Sequence, residues 1–83
     1  MNKESIVYDI LEKLSRGEEA NFTDYGISQK EFGDIVEECQ KNGYIEEASF
    51  SRAKGEIRVT FLNKAKLTSK GIKYVQNYSK SME

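Results

Sequence analysis

Apolar positions near the N-terminus repeat with the period of an α-helix. From about Lys3 to Ser15 they follow the i, i+3, i+4, i+7 rule. The members of this stripe are Ile6, Val7, Ile10, Leu11 and Leu14. The pattern is typical of a surface helix that packs one face on a core, and Gly17 is a suitable stop for it. Residues 22–26 are too few for an independent helix and predict one helical turn that ends at Gly26.

A second helix is predicted to begin at Ser28. Ser28 and Glu31 have the spacing of a capping box, in which the hydroxyl accepts a hydrogen bond from the amide three residues later. The buried face that follows reads Phe32, Ile35, Val36 and Cys39. The helix should run to about Lys41, because Asn42 and a glycine supply the stop. Gly33, inside this helix, either allows a close approach to a neighbouring element or is tolerated on the surface, and the second interpretation is favoured.

Alternation of apolar and polar residues replaces the helical period after residue 43. Two segments, 44–50 and 56–62, flank a polar turn and predict a β-hairpin. The core face of the second segment is predicted to consist of Ile57, Val59 and Phe61.

The register of this hairpin has two solutions. A turn centred on residues 53–54 pairs Phe50 with Ile57, whereas a turn centred one residue later pairs Phe50 with Val59. Both registers keep Phe50 and Ala48 on the core face.

A last helix is predicted after Thr68, whose hydroxyl can cap it. Its core contacts are expected from Leu67, Ile72, Tyr74, Val75 and Tyr78, and Gly71 can allow close packing against a neighbour. The order is therefore helix, short turn, helix, hairpin, helix. This α+β order is that of a winged helix-turn-helix with the helix from Ser28 in the recognition position, and we expect one domain over residues 1–83.

Two motifs resemble a known family. The run Gly43-Tyr44-Ile45 leaves the second helix, and the run Leu67-Thr68-Ser69-Lys70-Gly71-Ile72-Lys73-Tyr74-Val75 opens the last one. Both are similar to those of the YjcQ-like family of small bacterial and phage-borne winged-helix proteins, and the resemblance extends to about Tyr78. It implies a winged-helix domain from prophage-rich genomes, with no known activity, cofactor or catalytic residue to transfer.

The composition argues against catalysis. The chain of 83 residues has no histidine and one cysteine, so histidine-dependent triads, an internal disulfide and the common zinc sites are excluded. No glycine-rich phosphate loop is present, and adjacent carboxylates diverge, so we expect no enzyme, no cofactor and no metal site. Cys39 is interpreted as a buried, inert residue in a cytoplasmic protein. No apolar run approaches the roughly 20 residues that span a bilayer, so no membrane association is expected.

Charge is distributed unevenly along the chain. Residues 1–50 carry five basic and twelve acidic side chains, whereas residues 51–83 carry eight basic and two acidic ones. The second helix has a net charge of −2, which opposes entry into the major groove of duplex DNA. We therefore expect a protein partner to dock on its outward face, of which Gly33 is also taken to be part. The candidate docking residues are Gln29, Lys30, Asp34, Glu37, Gln40 and Lys41.

The hairpin gives the alternative prediction, because its surroundings are basic. The candidate wing residues for contacts with duplex DNA are Arg52, Lys54, Arg58, Lys64 and Lys66. The competing interpretation is that these cations protect a sheet edge and keep it solvated. The acidic half of one copy could also meet the basic half of another, so a monomer or a weak homodimer is expected.

Overall fold

A computed structural model describes residues 2–81 of the chain, and this part has an α+β architecture. Its α-helices are Lys3–Ser15 (α1), Gln29–Lys41 (α2) and Ser69–Ser81 (α3), with a 3-10 turn at Phe22–Tyr25 between the first two. Its strands are Ile45–Glu46 (β1), Ser49–Ala53 (β2), Glu56–Phe61 (β3) and Lys66–Leu67 (β4). The predicted order of elements is confirmed. No helix in residues 2–81 has the length and apolar character needed to cross a membrane.

The predicted helix boundaries are confirmed where local signals set them. The Ser28 hydroxyl accepts a hydrogen bond from the Glu31 amide at 3.1 Å, and the Thr68 hydroxyl accepts one from the Gly71 amide at the same distance. Each bond satisfies an amide that has no partner within its helix. Gly26 ends the 3-10 turn with a φ of 66°, which glycine adopts without a steric penalty.

The β-structure differs from the single long hairpin that the sequence predicts. β1 pairs with β4, and β2 pairs with β3, so two separate antiparallel pairs form. The strand breaks at Glu47, where φ is +65°. Gln40 of α2 holds the break, because its side-chain amide accepts from the Ala48 N–H at 2.8 Å and donates to the Ala48 carbonyl at 3.3 Å.

Neither predicted register of the hairpin is correct. The turn lies at residues 54–55, as in the second solution, but a bulge between Ser51 and Arg52 displaces the pairing by one residue. Phe50 therefore faces Thr60 instead of Val59. An extra residue in one strand reverses the alternation of side chains beyond it.

The bulge changes which residues of β3 are buried. Ile57 is buried as predicted, but Val59 is 38% exposed and Phe61 is 46% exposed. Leu62 lies in the core in their place. The prediction that Val59 and Phe61 are core residues is thus wrong, because the alternation of inward and outward side chains reverses at the bulge.

The core lies where α1, α2 and the strands meet. Its buried members are Ile6, Ile10, Leu11, Ala20, Phe32, Val36, Cys39, Ile45, Ala48 and Leu62. From α3, Tyr74 and Val75 pack against this cluster, whereas Ile72 is 46% exposed, so its predicted core role is wrong. Ile72 is not among the α3 side chains that pack against the core cluster.

Two glycines allow helices to approach their neighbours closely. Gly71 faces the backbone of Tyr44, and Leu67 also lies within contact distance of a Cβ at that position. Gly33 is buried, and a Cβ there would lie 2.9 Å from the Cβ of Ile57. The interpretation of Gly33 as a surface residue open to a partner is therefore wrong, because β3 covers it.

Candidate binding surfaces

The outward face predicted on α2 is divided by the hairpin. Four of its six residues are exposed, namely Gln29, Lys30, Asp34 and Lys41. Glu37 and Gln40 are half-buried on the side that meets the hairpin. Gln40 is occupied by its two hydrogen bonds to Ala48, so the structure gives it a role in the fold.

Three of the four acidic side chains of α2 are paired with cations, each from a different element. Lys30 of the same helix lies 3.0 Å from Asp34, and this hydrogen bond raises the pKa of Lys30. Arg52 of β2 contacts Glu37. Lys3 of α1 lies 2.5 Å from Glu38. Exposed pairs of this kind contribute little to stability, so a partner can displace them at low cost.

An apolar groove lies beside the exposed acidic residues, between α1 and α2. We call it the α2 groove; its volume is about 360 Å³. Its floor is made by Ile6, Ile27 and Ile35, and its rim by Lys3, Glu31 and Asp34. Apolar floors with a few polar groups at the rim are typical of binding sites.

The segment that carries Ile27 is fixed to α1. Tyr25 donates a hydrogen bond to Asp9 at 2.7 Å, and Lys13 lies 3.0 Å from Asp24. The hydrogen bond from Lys13 lowers the pKa of Asp24. Sequence reasoning missed Ile27, although an apolar residue directly before an N-cap is a recognised signal of packing at a helix start.

The predicted wing residues do not form one free basic cluster. Arg52 contacts Glu37, Lys66 lies 3.3 Å from Glu47, and Arg58 lies 3.7 Å from Glu56. The other two, Lys54 at the turn and Lys64 after β3, are exposed and form no ion pair within residues 2–81. Within residues 2–81, the hairpin and the segment after it therefore offer two unpaired cations and one weakly paired arginine.

The outer face of the hairpin carries a small apolar surface. Val59 and Phe61 lie on it side by side, opposite Ser51 and Ser49 on β2. We call the two apolar residues the hairpin patch. Sequence reasoning missed it because the alternation assigned both side chains to the core.

Cys39 is buried as predicted, with 2% of its surface exposed. Burial raises the pKa of its thiol to about 11. A second groove of about 290 Å³ lies beside it, lined by Val7, Ile35, Tyr44 and Tyr74 among others, and the ion pair of Lys3 and Glu38 lies at this groove. Within residues 2–81, no three Cys, Asp or Glu side chains lie close enough to hold a metal ion.

Comparison with known proteins agrees with the motifs around Tyr44 and Gly71. Among solved structures, the chain is similar to the solution NMR structure of the YjcQ protein from Bacillus subtilis, with a TM-score of 0.63 and 23% identity. The alignment covers 89% of this chain and 92% of that chain, and at this identity the likeness shows the fold alone. No curated protein matches the chain. The family described as YjcQ protein matches residues 8–82, and the protein therefore belongs to the YjcQ family.

Proposed function

We propose that this protein is a non-enzymatic binding module of winged-helix type that docks a protein partner through the acidic face of α2. The observation that carries the proposal is the α2 groove, where an apolar floor lies directly beside the exposed carboxylates of Glu31 and Asp34. A partner segment with apolar and basic side chains fits this combination. Apolar burial would supply affinity, and the carboxylates would select the partner and speed its association.

The winged-helix assignment rests on the order and packing of the elements. Helix α2 follows a short turn after the 3-10 segment, and the short strand β1 and then the β2–β3 hairpin follow α2, in the position of a wing. In this interpretation, α2 occupies the recognition position. The hairpin packs along α2 at Gly33 and leaves the side facing α1 open.

Protein is the favoured partner because of the charge on α2. Duplex DNA carries one phosphate charge for about every 1.7 Å of its length, and a helix with a net charge of −2 would approach it against repulsion. Arg52, one of the candidate wing residues for DNA contact, already neutralises Glu37 of α2. Such a helix makes a poor major-groove reader.

Binding of duplex DNA through the hairpin is the second candidate. Lys54 and Lys64 favour it, because both are exposed and neither has an ionic partner within residues 2–81. Two free lysines and Arg58 would contact phosphates without reading bases. We rank this function second because its cations are few.

The family resemblance adds an expectation about setting. We expect an accessory or regulatory protein of phage or prophage origin that works in the cytoplasm, where a lone thiol such as that of Cys39 stays reduced.

The two functions can be separated by affinity capture and DNA titration with the same variants. Asp34→Lys should reduce capture of the partner from host lysate at least about tenfold, since Asp34 is exposed at the groove rim and its loss leaves the fold intact. Glu18→Lys is the matched control, because Glu18 is also an exposed carboxylate in an ion pair, with Arg16 at 3.1 Å. The double variant Lys54→Gln and Lys64→Gln should capture the partner normally.

Fluorescence anisotropy with random duplex DNA at two salt concentrations provides the second measurement. We expect weak binding that the double hairpin variant barely changes. Tight binding at physiological salt, with a salt dependence that flattens by about one unit of log slope per lost lysine, would replace protein docking with DNA binding.

A further inference from the structure

We propose that the α2 groove accepts the hairpin patch of a second copy of this chain, with Phe61 as the inserted side chain. The proposal rests on the proposed function, because it names a partner for the same groove. It goes beyond the proposed function by joining two different surfaces of the chain, the α2 groove and the hairpin patch.

The hairpin patch has the form of an inserted anchor. Phe61 is 46% exposed and Val59 is 38% exposed, and both project from the same face of β3. The residues opposite them on β2 are Ser49 and Ser51, which are too small to cover the rings and methyl groups beside them. Aromatic side chains, including phenylalanine, are enriched in protein interfaces.

The α2 groove has the form of a receptor for such an anchor. Its floor consists of three isoleucine side chains, and its volume of about 360 Å³ leaves room for an aromatic ring. When a phenylalanine ring packs on this floor, apolar surface of both the ring and the isoleucines is removed from water, which stabilises the complex.

Charge determines which surfaces can meet. Arg58, beside the patch, is exposed, and the free Lys54 and Lys64 lie at the two ends of β3. Two hairpin patches facing each other would bring these cations together. At the groove, in contrast, Glu31 and Asp34 would lie next to them.

The distribution of charge along the whole chain favours the same contact. Residues 1–50, which form the groove, carry twelve acidic side chains, and two of these, Glu31 and Asp34, line it; the eight basic side chains of residues 51–83 include those around the patch. A groove-to-hairpin contact is therefore favoured over a symmetric contact. Such a contact is heterologous, so each copy can bind one neighbour through its groove and another through its hairpin.

Sedimentation velocity over a roughly hundredfold concentration range tests the proposal. The weight-average sedimentation coefficient of the wild-type chain should rise with protein concentration. It should fall when salt is added, because salt screens the complementary charges. Phe61→Ser and Asp34→Lys should each weaken association at least about tenfold. Circular dichroism should show both variants folded, since both positions are exposed.

The chain offers a matched control for each change. Ile72→Ser removes an apolar side chain that is as exposed as Phe61, but on α3. Glu18→Lys reverses an exposed carboxylate away from the groove. Both controls should associate as the wild type does.

Mixing the two defective variants gives the sharpest result. Phe61→Ser retains an intact groove and Asp34→Lys an intact hairpin, so an equimolar mixture should form a one-to-one pair that does not grow further. Failure of the mixture to associate, when each variant alone has lost self-association, would show that the groove and the hairpin patch do not bind each other and would overturn the proposal.

Two other outcomes also overturn it and separate it from the proposed function. A wild-type chain that stays monomeric at every concentration, while Asp34→Lys still loses capture of a different protein, ends this inference but keeps the groove as a docking site. Normal self-association by Asp34→Lys, together with normal capture, would remove the groove from both proposals.

Discussion

Two glycines lie inside helices, where alanine would ordinarily be the more stable residue by about 0.5–1 kcal/mol. Their surroundings reverse this preference. A Cβ at Gly71 would overlap the carbonyl oxygen of Tyr44, which belongs to the backbone and cannot rotate away. A Cβ at Gly33 would instead overlap a side chain, that of the buried Ile57.

We therefore expect both substitutions to destabilise the protein, in a fixed order. Gly71→Ala should lower the free energy of unfolding by about 1–3 kcal/mol, and Gly33→Ala should lower it by less. Urea denaturation followed by circular dichroism measures both, with Gln29→Ala at an exposed helical position as the control. A gain in stability for Gly71→Ala would show that α3 does not approach Tyr44 so closely.

Cys39 gives a prediction about reactivity. Burial raises the pKa of its thiol from 9.0 to about 11, so near neutral pH the thiolate population falls about a hundredfold. Alkylation of the native protein should be slower than that of the urea-unfolded protein by at least this factor, and the rate of iodoacetamide labelling followed by mass spectrometry measures it. Equal rates would place the thiol at the surface.

The same pKa shift predicts how stability depends on pH. The folded-state pKa lies above the unfolded value, so the contribution of the buried thiol is complete below about pH 9 and is lost as the pH rises towards 11. Cys39→Ala should remove this part of the alkaline loss of stability, at a cost of about 1–2 kcal/mol at neutral pH. Urea denaturation at several pH values between these limits compares the two proteins.

At the scale of elements, Gln40 joins α2 to the start of the hairpin. Its side-chain amide makes the two hydrogen bonds that a neighbouring strand would otherwise make with Ala48. Glu47, the residue before Ala48, has left-handed backbone geometry that is uncommon for a non-glycine residue. Gln40 thus fixes the direction in which β2 leaves the β1–β4 pair.

We expect Gln40→Leu to lower the free energy of unfolding by about 1–3 kcal/mol, because it leaves the half-buried backbone groups of Ala48 without partners. Gln40→Glu should cost less, since a carboxylate still accepts from the Ala48 N–H. Lys41→Leu, at the exposed neighbouring position, is the control. If the leucine and glutamate variants were equally stable, the two hydrogen bonds would not hold the strand.

The elements that sequence reasoning predicted correctly are those set by local signals. Ser28 and Thr68 cap helices through residues three positions away, so their roles are legible in the sequence. The bulge, by contrast, lies beside Arg52, which contacts Glu37 of α2. These two residues are far apart in the sequence, so no local signal predicts the bulge. The same holds for the site: the exposure of Asp34 followed from periodicity, but the groove needed α1 and the exposure of Phe61 needed the bulge.

At the scale of the whole molecule, aromatic side chains join the two ends of the chain. Tyr8 of α1 stacks on Tyr78 of α3 with ring centroids 4.5 Å apart, and Tyr78 in turn lies 6.2 Å from Tyr74. Tyr44, after α2, continues the row at 4.9 Å from Tyr74. Tyr74 and Tyr78, from which the sequence predicts core contacts of the last helix, therefore belong to one continuous row of packed rings.

This row should make α3 unfold together with the rest of the protein. We expect Tyr78→Ala to lower the free energy of unfolding by about 1–3 kcal/mol, while Tyr78→Phe keeps the rings stacked and loses only the 3.3 Å hydrogen bond with Ser5. Helical circular dichroism and tyrosine fluorescence should follow one transition in all three proteins. Two separate transitions in the wild type would mean that α3 melts independently.

The pairing of β1 with β4 has a consequence for how this protein can diversify. Since Ile45 and Leu67 are partners, the chain leaves and re-enters the three-helix body at neighbouring points. The hairpin is thus an insertion between these paired strands, and Ile57 packed against Gly33 and Leu62 in the core hold it in place. A lineage that preserves these anchors can exchange the tip and outer face of the hairpin for other sequences, and so acquire new binding partners, without redesigning the helices that hold it.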